Sequence, residues 1–166
     1  MVTGAGGSIG SELCRQLARF TPKLLIFWEM SEYGLYLIET EFRDNYPAIA
    51  FESVIGDVKS KSRVTEILYK YQPNLILHAA AYKHVPLMES GNVREAFNNN
   101  VYGTLNLARV AKSMSVENFI LISTDKAVNP SNYMGKSKLI SEIIVNQFSK
   151  LNKTNFSIVR FGNVLN

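Results

Sequence analysis

The 166-residue sequence predicts a single α/β domain built on a doubly wound parallel sheet. Three observations carry that expectation. Apolar runs of strand length alternate along the chain with longer amphipathic runs of helical period. A glycine-rich turn separates the first strand from the first helix, where sheets of this class hold phosphates. Hydrophobic residues make up 46% and charged residues 19%, enough apolar material for a core and too little charge for a disordered chain.

The elements follow in order. Residues 1–3 are a short first strand. Residues 8–20 read as a helix, because Ile9, Leu13, Leu17 and Phe20 fall on one stripe and Thr21-Pro22 closes it. Residues 23–28 form a second strand, and residues 32–45 a helix with Leu35, Leu37, Ile38 and Phe42 as its apolar positions. A third strand at 49–55 and a helix at 60–71 follow. Residues 75–79 have the leucine and β-branched content of a buried parallel strand. A short helix at 86–96 precedes a longer one at 99–114, with Val101, Leu105, Leu107, Ala108 and Ala111 toward the core. Residues 119–123, 133–151 and 156–161 complete the pattern as strand, helix and strand. No repeat, linker or low-complexity stretch interrupts it. Right-handed crossovers then predict the strand order 3-2-1-4-5-6. Ligands of such sheets bind where the order reverses, at the loops after strands one, four and five.

Composition narrows the function. A net charge of +4 and a pI near 9.2 suit an anionic ligand such as a dinucleotide or sugar nucleotide. The charge is too mild and too scattered for nucleic acid, which calls for a concentrated basic patch. The single cysteine, Cys14, excludes an internal disulfide, fits a reducing compartment and reads as a small core residue of the first helix. His78 and His84 come with no cysteine cluster and no HExxH, so no metal is expected. The longest apolar runs fall far short of the roughly 18 residues of a membrane span, and the N-terminus lacks a signal-peptide pattern. The expectation is a soluble, cytoplasmic chain.

The turn Thr3-Gly4-Ala5-Gly6-Gly7-Ser8-Ile9-Gly10 spaces three glycines as GxxGxxG. Gly4 permits a tight turn, Gly7 lets the backbone approach a pyrophosphate, and Gly10 allows close helix–strand packing. Amides at the helix start then face the diphosphate, aided by the helix dipole. Glu29 ends the second strand 19 residues after Gly10. A carboxylate there accepts bonds from the adenosine ribose and repels a 2′-phosphate, which favours NAD over NADP. The alternative is a solvated strand-end glutamate. Asp57, after the third strand, is placed for the adenine edge, and Ala79, Ala80 and Ala81 are small enough for a cofactor to lie against the backbone.

Several segments together resemble the extended short-chain dehydrogenases/reductases: the glycine turn, Gly56-Asp57-Val58, His78-Ala79-Ala80-Ala81, Asn100-Val101-Tyr102-Gly103-Thr104 and Ser123-Thr124-Asp125-Lys126-Ala127-Val128-Asn129-Pro130. More narrowly, the chain is similar to the CapD-like polysaccharide biosynthesis proteins, which are UDP-N-acetylglucosamine 4,6-dehydratases. Gly7-Ser8-Ile9-Gly10-Ser11-Glu12-Leu13, His84-Val85-Pro86-Leu87-Met88-Glu89, the Ser123 to Pro130 segment and Arg160-Phe161-Gly162-Asn163-Val164-Leu165 carry that match, which runs end to end. The resemblance implies an NAD-binding Rossmann domain with cofactor contacts at Gly4, Gly7, Ser8, Ile9, Gly10, Glu29, Asp57, Val58, Ala79, Ala80, Ala81, Asn100, Ser123 and Lys138. It implies oxidation of the sugar at C4, loss of water across C5 and C6, and return of the hydride to C6, giving a UDP-4-keto-6-deoxy sugar. The implied partner is a UDP-N-acetylhexosamine, and the implied setting is surface-glycan synthesis.

In the wider superfamily a Ser or Thr ends the fifth strand and YxxxK follows on the next helix. Here Ser123-Thr124 and Lys138 match, but Met134 stands four residues before Lys138. Tyr133 does not substitute, because positions i and i+5 diverge by roughly 140° on a helix. Larger, membrane-anchored members of this family carry Met at that place, and Met134 reads as an apolar wall of the sugar pocket. Thr124 and Asp125 are the candidates to take the C4 hydroxyl proton. Asp125 is assigned as the acid that protonates the departing hydroxyl and Lys126 as the base at C5, with a solvated loop ion pair as the alternative. Tyr82 and His84 border the nicotinamide or sugar, or serve as structural hydrogen-bonders.

Relative to the family the domain, residues 1–166, is expected to be truncated at both ends, lacking a substrate-gripping segment after it and the membrane helices that precede it in larger members. Two other readings stand beside the dehydratase: an NAD-holding module without turnover, and another UDP-sugar epimerase or reductase, which usually keep Tyr at position 134. A homo-oligomer through helices 99–114 and 133–151 is a further implication.

Overall fold

The computed structural model describes residues 1–150 and 153–162 and contains one six-stranded sheet of order β3-β2-β1-β4-β5-β6 with every neighbouring pair parallel. The strands are β1 (Val2–Thr3), β2 (Leu25–Glu29), β3 (Phe51–Ile55), β4 (Leu75–His78), β5 (Asn118–Thr124) and β6 (Asn155–Phe161). The helices are α1 (Ser8–Ala18), α2 (Glu32–Asn45), α3 (Lys61–Tyr71), α4 (Val85–Glu89), α5 (Val93–Phe97), α6 (Gly103–Ser113) and α7 (Tyr133–Ser149). A π-helical turn, Asn98–Tyr102, leads into α6, and a 3₁₀ turn, Asp125–Ala127, follows β5. The expected strand order holds. It reverses between β1 and β4, so a crevice opens above their C-terminal ends.

The sheet divides the core. Alternate residues of β2 point to opposite faces. Leu25 and Phe27 join Cys14, Ala18, Leu35, Ile38 and Phe42 from α1 and α2. Ile26 and Trp28 join Val64, Leu68, Leu107 and Ala111 from α3 and α6, with Val145 of α7. Because β2 is covered on both sides, its sequence is an unbroken apolar run rather than an alternation. Phe42 is the aromatic hub of the first face, 4.7 Å edge-on from Phe27 and 4.5 Å stacked on Tyr46.

Several local expectations need correction. Phe20 lies past the end of α1 and is 79% exposed, and the buried face of that helix is Gly10, Cys14 and Ala18. These small residues let α1 sit close to the sheet, leaving Leu13 and Leu17 half-buried at the flank. Leu37 is exposed, so α2 packs through Leu35, Ile38 and Phe42. The single helix expected at 86–96 is two, broken where Gly91 takes φ +80°. Residue 151, the expected end of the last helix, is outside the described residues. Cys14 is buried, which pushes its thiol up to about 12.

Buried His78 locks the C-terminal end of β4 in place. Thr104 Oγ1 donates its one proton to Asn100 O at 2.6 Å, so the 3.0 Å contact from His78 Nε2 must be donated by the ring. Nδ1 is then the acceptor, receiving Thr3 Oγ1 at 2.7 Å. One directed chain thus ties β1, β4 and α6. Burial, then the Lys138 charge, lowers the imidazole pKa to about 3.

Truncating Phe42 to Ala is expected to cost about 3–5 kcal/mol of stability in urea unfolding. His78 makes a pH-dependent contribution. Its folded pKa lies below the unfolded 6.5, so between those values only the unfolded chain takes up the proton. Stability is therefore expected to be complete above pH 6.5 and to fall as pH drops toward 3. Urea titrations should show that slope reduced in His78→Gln, and an equal slope in both proteins would refute the assignment.

Candidate active site

The glycine turn is shaped by backbones that touch. Gly4 takes φ +70°, and a Cβ there would stand 2.7 Å from Ala80 N. A Cβ on Gly10 would fall on Gly4 O. The amides of Gly4 and Ala5 both donate to Trp28 O, fixing the turn over β2. α1 then opens on Gly7, which offers no capping side chain, and its first turn holds no acid. The leading amides of Ser8 and Ile9 are left without an intrahelical partner at the positive end of the helix dipole.

Glu29 sits at the edge of the same turn. Its Oε1 accepts from Met30 N at 2.8 Å and Ser31 N at 3.0 Å, and its Oε2 accepts from Gly6 N at 3.1 Å. Three of the roughly four acceptor positions of the carboxylate are therefore used, and one remains for a ligand. Gly6 is a residue the motif spacing passed over. Its Cβ would lie 2.6 Å from the backbone of Gly34 in the first turn of α2, so the two glycines meet directly. The only sequence signal was a second glycine placed three residues after the capping Ser31.

A smaller cavity of about 220 Å³ runs along Glu29, Asp57, Val58, Asn99 and the three alanines 79–81. A larger one of about 880 Å³ continues from the glycine turn to Ser123, Thr124, Lys126, Met134 and Lys138. Gly4, Gly7, Ala79 and Ala81 line both, which joins them into one cleft over β1 and β4. Asp57 is held by Lys59 through its amide at 2.8 Å and its ammonium at 3.3 Å. Tyr82 lines the smaller cavity and His84 the larger.

Asn100, expected at the cofactor, has its side-chain amide committed inside the protein. All four bonds of its amide are made within the protein: it accepts from Tyr82 N and Asn99 Nδ2 and donates to Tyr82 O and Ser137 Oγ. It lines neither cavity, and its neighbour Asn99 takes the place on the wall. Lys83 was also passed over. Its ammonium reaches across the cleft to Ser8 Oγ at 3.3 Å, adding a positive charge beside the helix amides.

At the far end, Lys138 is buried and donates to Ile122 O at 2.6 Å. Burial lowers its pKa to about 8, and Glu142 opposes that shift. Met134 is buried, lines the cavity and packs with Met88 and Ala96. Tyr133 points elsewhere: its ring is exposed and lies 4.9 Å from the Lys136 ammonium. Ser123 lines the cavity, but its hydroxyl donates away from it to Glu142 at 2.5 Å. Thr124 Oγ1 donates to Asp125 Oδ1 at 2.9 Å, and Lys126 Nζ lies 3.3 Å from the same oxygen. The Thr124 and Lys126 hydrogen bonds hold the Asp125 carboxyl below its ordinary range. Lys126 is on the cavity wall, whereas Asp125 stands beside it, more exposed and closer to Gly162. Gly135 makes this juxtaposition possible, since any Cβ there would strike Lys126 O. Residues 163–166, the end of the Arg160 to Leu165 motif, are outside the described residues. Among the described residues no helix is long and apolar enough to cross a membrane.

The chain is 50% identical to the capsular polysaccharide biosynthesis protein CapD of Staphylococcus aureus over 99% of its length, which is 28% of that protein. It is 31% identical to a UDP-N-acetylglucosamine 4,6-dehydratase (inverting) of Campylobacter jejuni, again over 99% of this chain and 48% of that one. A UDP-glucose 4-epimerase of Rickettsia bellii is 33% identical with the same coverage. The crystal structure of Pen from Bacillus thuringiensis superposes with a TM-score of 0.88 at 31% identity, covering 99% of this chain and 51% of that one. The chain thus spans from under a third to about half of the relatives it matches. A family model described as polysaccharide biosynthesis protein matches residues 1–166, and the chain belongs to that family.

Proposed function

We propose that the chain is the cofactor-holding part of an NAD-dependent UDP-N-acetylhexosamine 4,6-dehydratase of polysaccharide synthesis. The observation that carries this reading is the single cleft with amides and Lys83 at one end and Thr124, Lys126 and Lys138 at the other. The residues fit a dinucleotide. The glycine cradle is one that any Cβ would fill, and Glu29 keeps one acceptor site for a ribose hydroxyl.

Bound there, NAD would supply the oxidant that takes a hydride from the sugar C4 and gives it back at C6. The amides of Ser8 and Ile9, with Lys83, face the diphosphate. Glu29 accepts from the ribose and repels a 2′-phosphate. Lys138, with a pKa about 8, is mostly an ammonium at pH 7 and has two protons beyond the one given to Ile122 O. Those orient the second ribose. Met134 is no base, so the C4 hydroxyl proton goes to Thr124, whose own proton passes to Asp125. Asp125, now a neutral acid, protonates the departing C6 hydroxyl. Lys126, once its ammonium proton has left to solvent at the cleft mouth, takes the C5 proton as a neutral amine and later returns it to C5. The net change is the loss of one water.

Incubating the full chain with UDP-N-acetylglucosamine and NAD is expected to give a product lighter by one water. An isomer of equal mass would instead support the epimerase reading that the Rickettsia relatives favour. Bound NAD without any product would support a module that does not turn over. Lys126→Met should keep NAD affinity and lower turnover by about 10²–10⁴-fold, as loss of a general base does. Undiminished turnover would remove Lys126 from the mechanism. Gly10→Ala, which pushes a methyl into Gly4 O, should weaken NAD binding at least about tenfold by calorimetry.

A further inference from the structure

We propose that Glu142 is a positioning residue of the reactive end: from α7 it pins the ends of β5 and β6 and supplies the countercharge that keeps Lys138 an ammonium. The inference rests on the reading that Lys138 works on the cofactor in its charged form.

Glu142 is 2% exposed and is deeper than any ordinary carboxylate of this chain. Its Oε1 accepts from Ser123 Oγ at 2.5 Å and Arg160 Nε at 3.0 Å, and its Oε2 accepts from Arg160 Nη2 at 2.6 Å. Ser123 and Arg160 are paired across β5 and β6, so one carboxylate clamps two neighbouring strands at matched register. Both strands form cavity wall beside the clamp, β5 at Ile122, Ser123 and Thr124 and β6 at Phe161. Glu142 also follows Lys138 by one helical turn, and positions i and i+4 share a face.

A buried charge costs several kcal/mol unless it is paired and hydrogen-bonded, and an apolar side chain would fill the space more cheaply. A filler role alone therefore gives no account of a carboxylate here. Its charge has a recipient in Lys138. Burial opposes Glu142 ionisation, but the hydrogen bonds from Arg160 and Ser123 prevail and hold the carboxyl below its ordinary range. The charged and titratable groups around Lys138 are few. His78 of β4 is neutral, Glu142 shares its helix, Arg160 of β6 reaches it through Glu142, Lys126, Lys83 and His84 line the same cavity, and Glu12 and Arg15 of α1 line it as an ion pair with each other. Of these, Glu142 is the anion that acts on Lys138, Glu12 being paired with Arg15, and Arg160 moderates it.

This arrangement makes two substitutions move one titration in opposite directions. In Glu142→Gln the amide keeps the shape and the Ser123 contact but loses the charge, so Lys138 should release its proton at lower pH. In Arg160→Gln the Ser123 hydrogen bond still favours the carboxylate while its competing cation is gone, so the release should move to higher pH. Lysine-labelled full chain followed by NMR from pH 6 to 10 reads the Lys138 midpoint directly, and the alkaline limb of kcat/KM reads it in turnover. The expected wild-type midpoint is about 8. Shifts of about one pH unit, tenfold in proton affinity, are expected down for Glu142→Gln and up for Arg160→Gln, with none for Ser123→Ala. A purely structural Glu142 would lower stability and kcat in the folded variants without moving the midpoint, and that result overturns the proposal. So does a shift in the same direction for both variants. If Glu142→Gln fails to fold, the exposed Arg160→Gln decides alone: an upward shift supports the proposal and an unmoved midpoint overturns it. Failure of wild-type chain to bind NAD would defeat the dehydratase reading, while the Lys138 titration would still decide this one.

Discussion

Close contact between bare backbones governs this structure. Gly4 lies against Ala79 and Ala80, Gly10 against Gly4, and Gly6 against Gly34. No side chain separates the first strand from the fourth or the glycine turn from α2. That contact sets the width of the crevice where the strand order reverses. It also brings the Gly6 amide within reach of Glu29, so the acidic residue is oriented by the turn it serves. A methyl group at any of the three glycines would both open the packing and displace the amides at the helix start.

Beneath that cleft lies a polar layer that leaves few bonds unmade. His78 joins Thr3 to Thr104, Asn100 joins residue 82 to Ser137, and Ser141 donates to Asn100 O at 2.7 Å. Among the described residues, Ser53 and Thr154 alone bury a side-chain oxygen with no hydrogen-bond partner. A network satisfied to this degree resists rearrangement, because breaking one bond strands a buried polar atom at a cost of roughly 1–3 kcal/mol. The rigidity matters functionally. The loop after β4 carries the alanines and Lys83, and the network fixes its base to α6 and α7 while its tip stays exposed.

The sequence made the architecture legible because parallel strands buried on both faces leave continuous apolar runs, and βα units leave only one practical winding. The places of Lys138 and Met134 were legible because both lie on one helix, and that of Glu29 because it ends an apolar strand. Asn99 and Asn100 were not distinguishable. The π-helical turn at 98–102 adds a residue to the local repeat and rotates which asparagine faces the cleft, and no periodicity of 3.6 reports that. Phe20 misled because helical spacing says which residues share a face but not where the helix stops. The Glu142–Arg160 pair was hidden because its partners are 18 residues apart on different elements, and only the packing of α7 on β6 brings them together.

Met134 changes the division of labour at the reactive end. A phenol at that position would place the proton acceptor on a buried helix, next to a buried lysine. With a thioether there, the proposed proton transfer falls to Thr124 at the end of β5 and to Asp125 and Lys126 on the short 3₁₀ turn that follows. That turn is more exposed than Lys138, so its charged groups pay little desolvation cost until substrate covers them. In the proposed mechanism Lys138 has no phenol to tune, and its charge serves the cofactor alone. A buried ammonium with one task still needs an anion close by to remain charged, and the chain places Glu142 one turn further along the same helix.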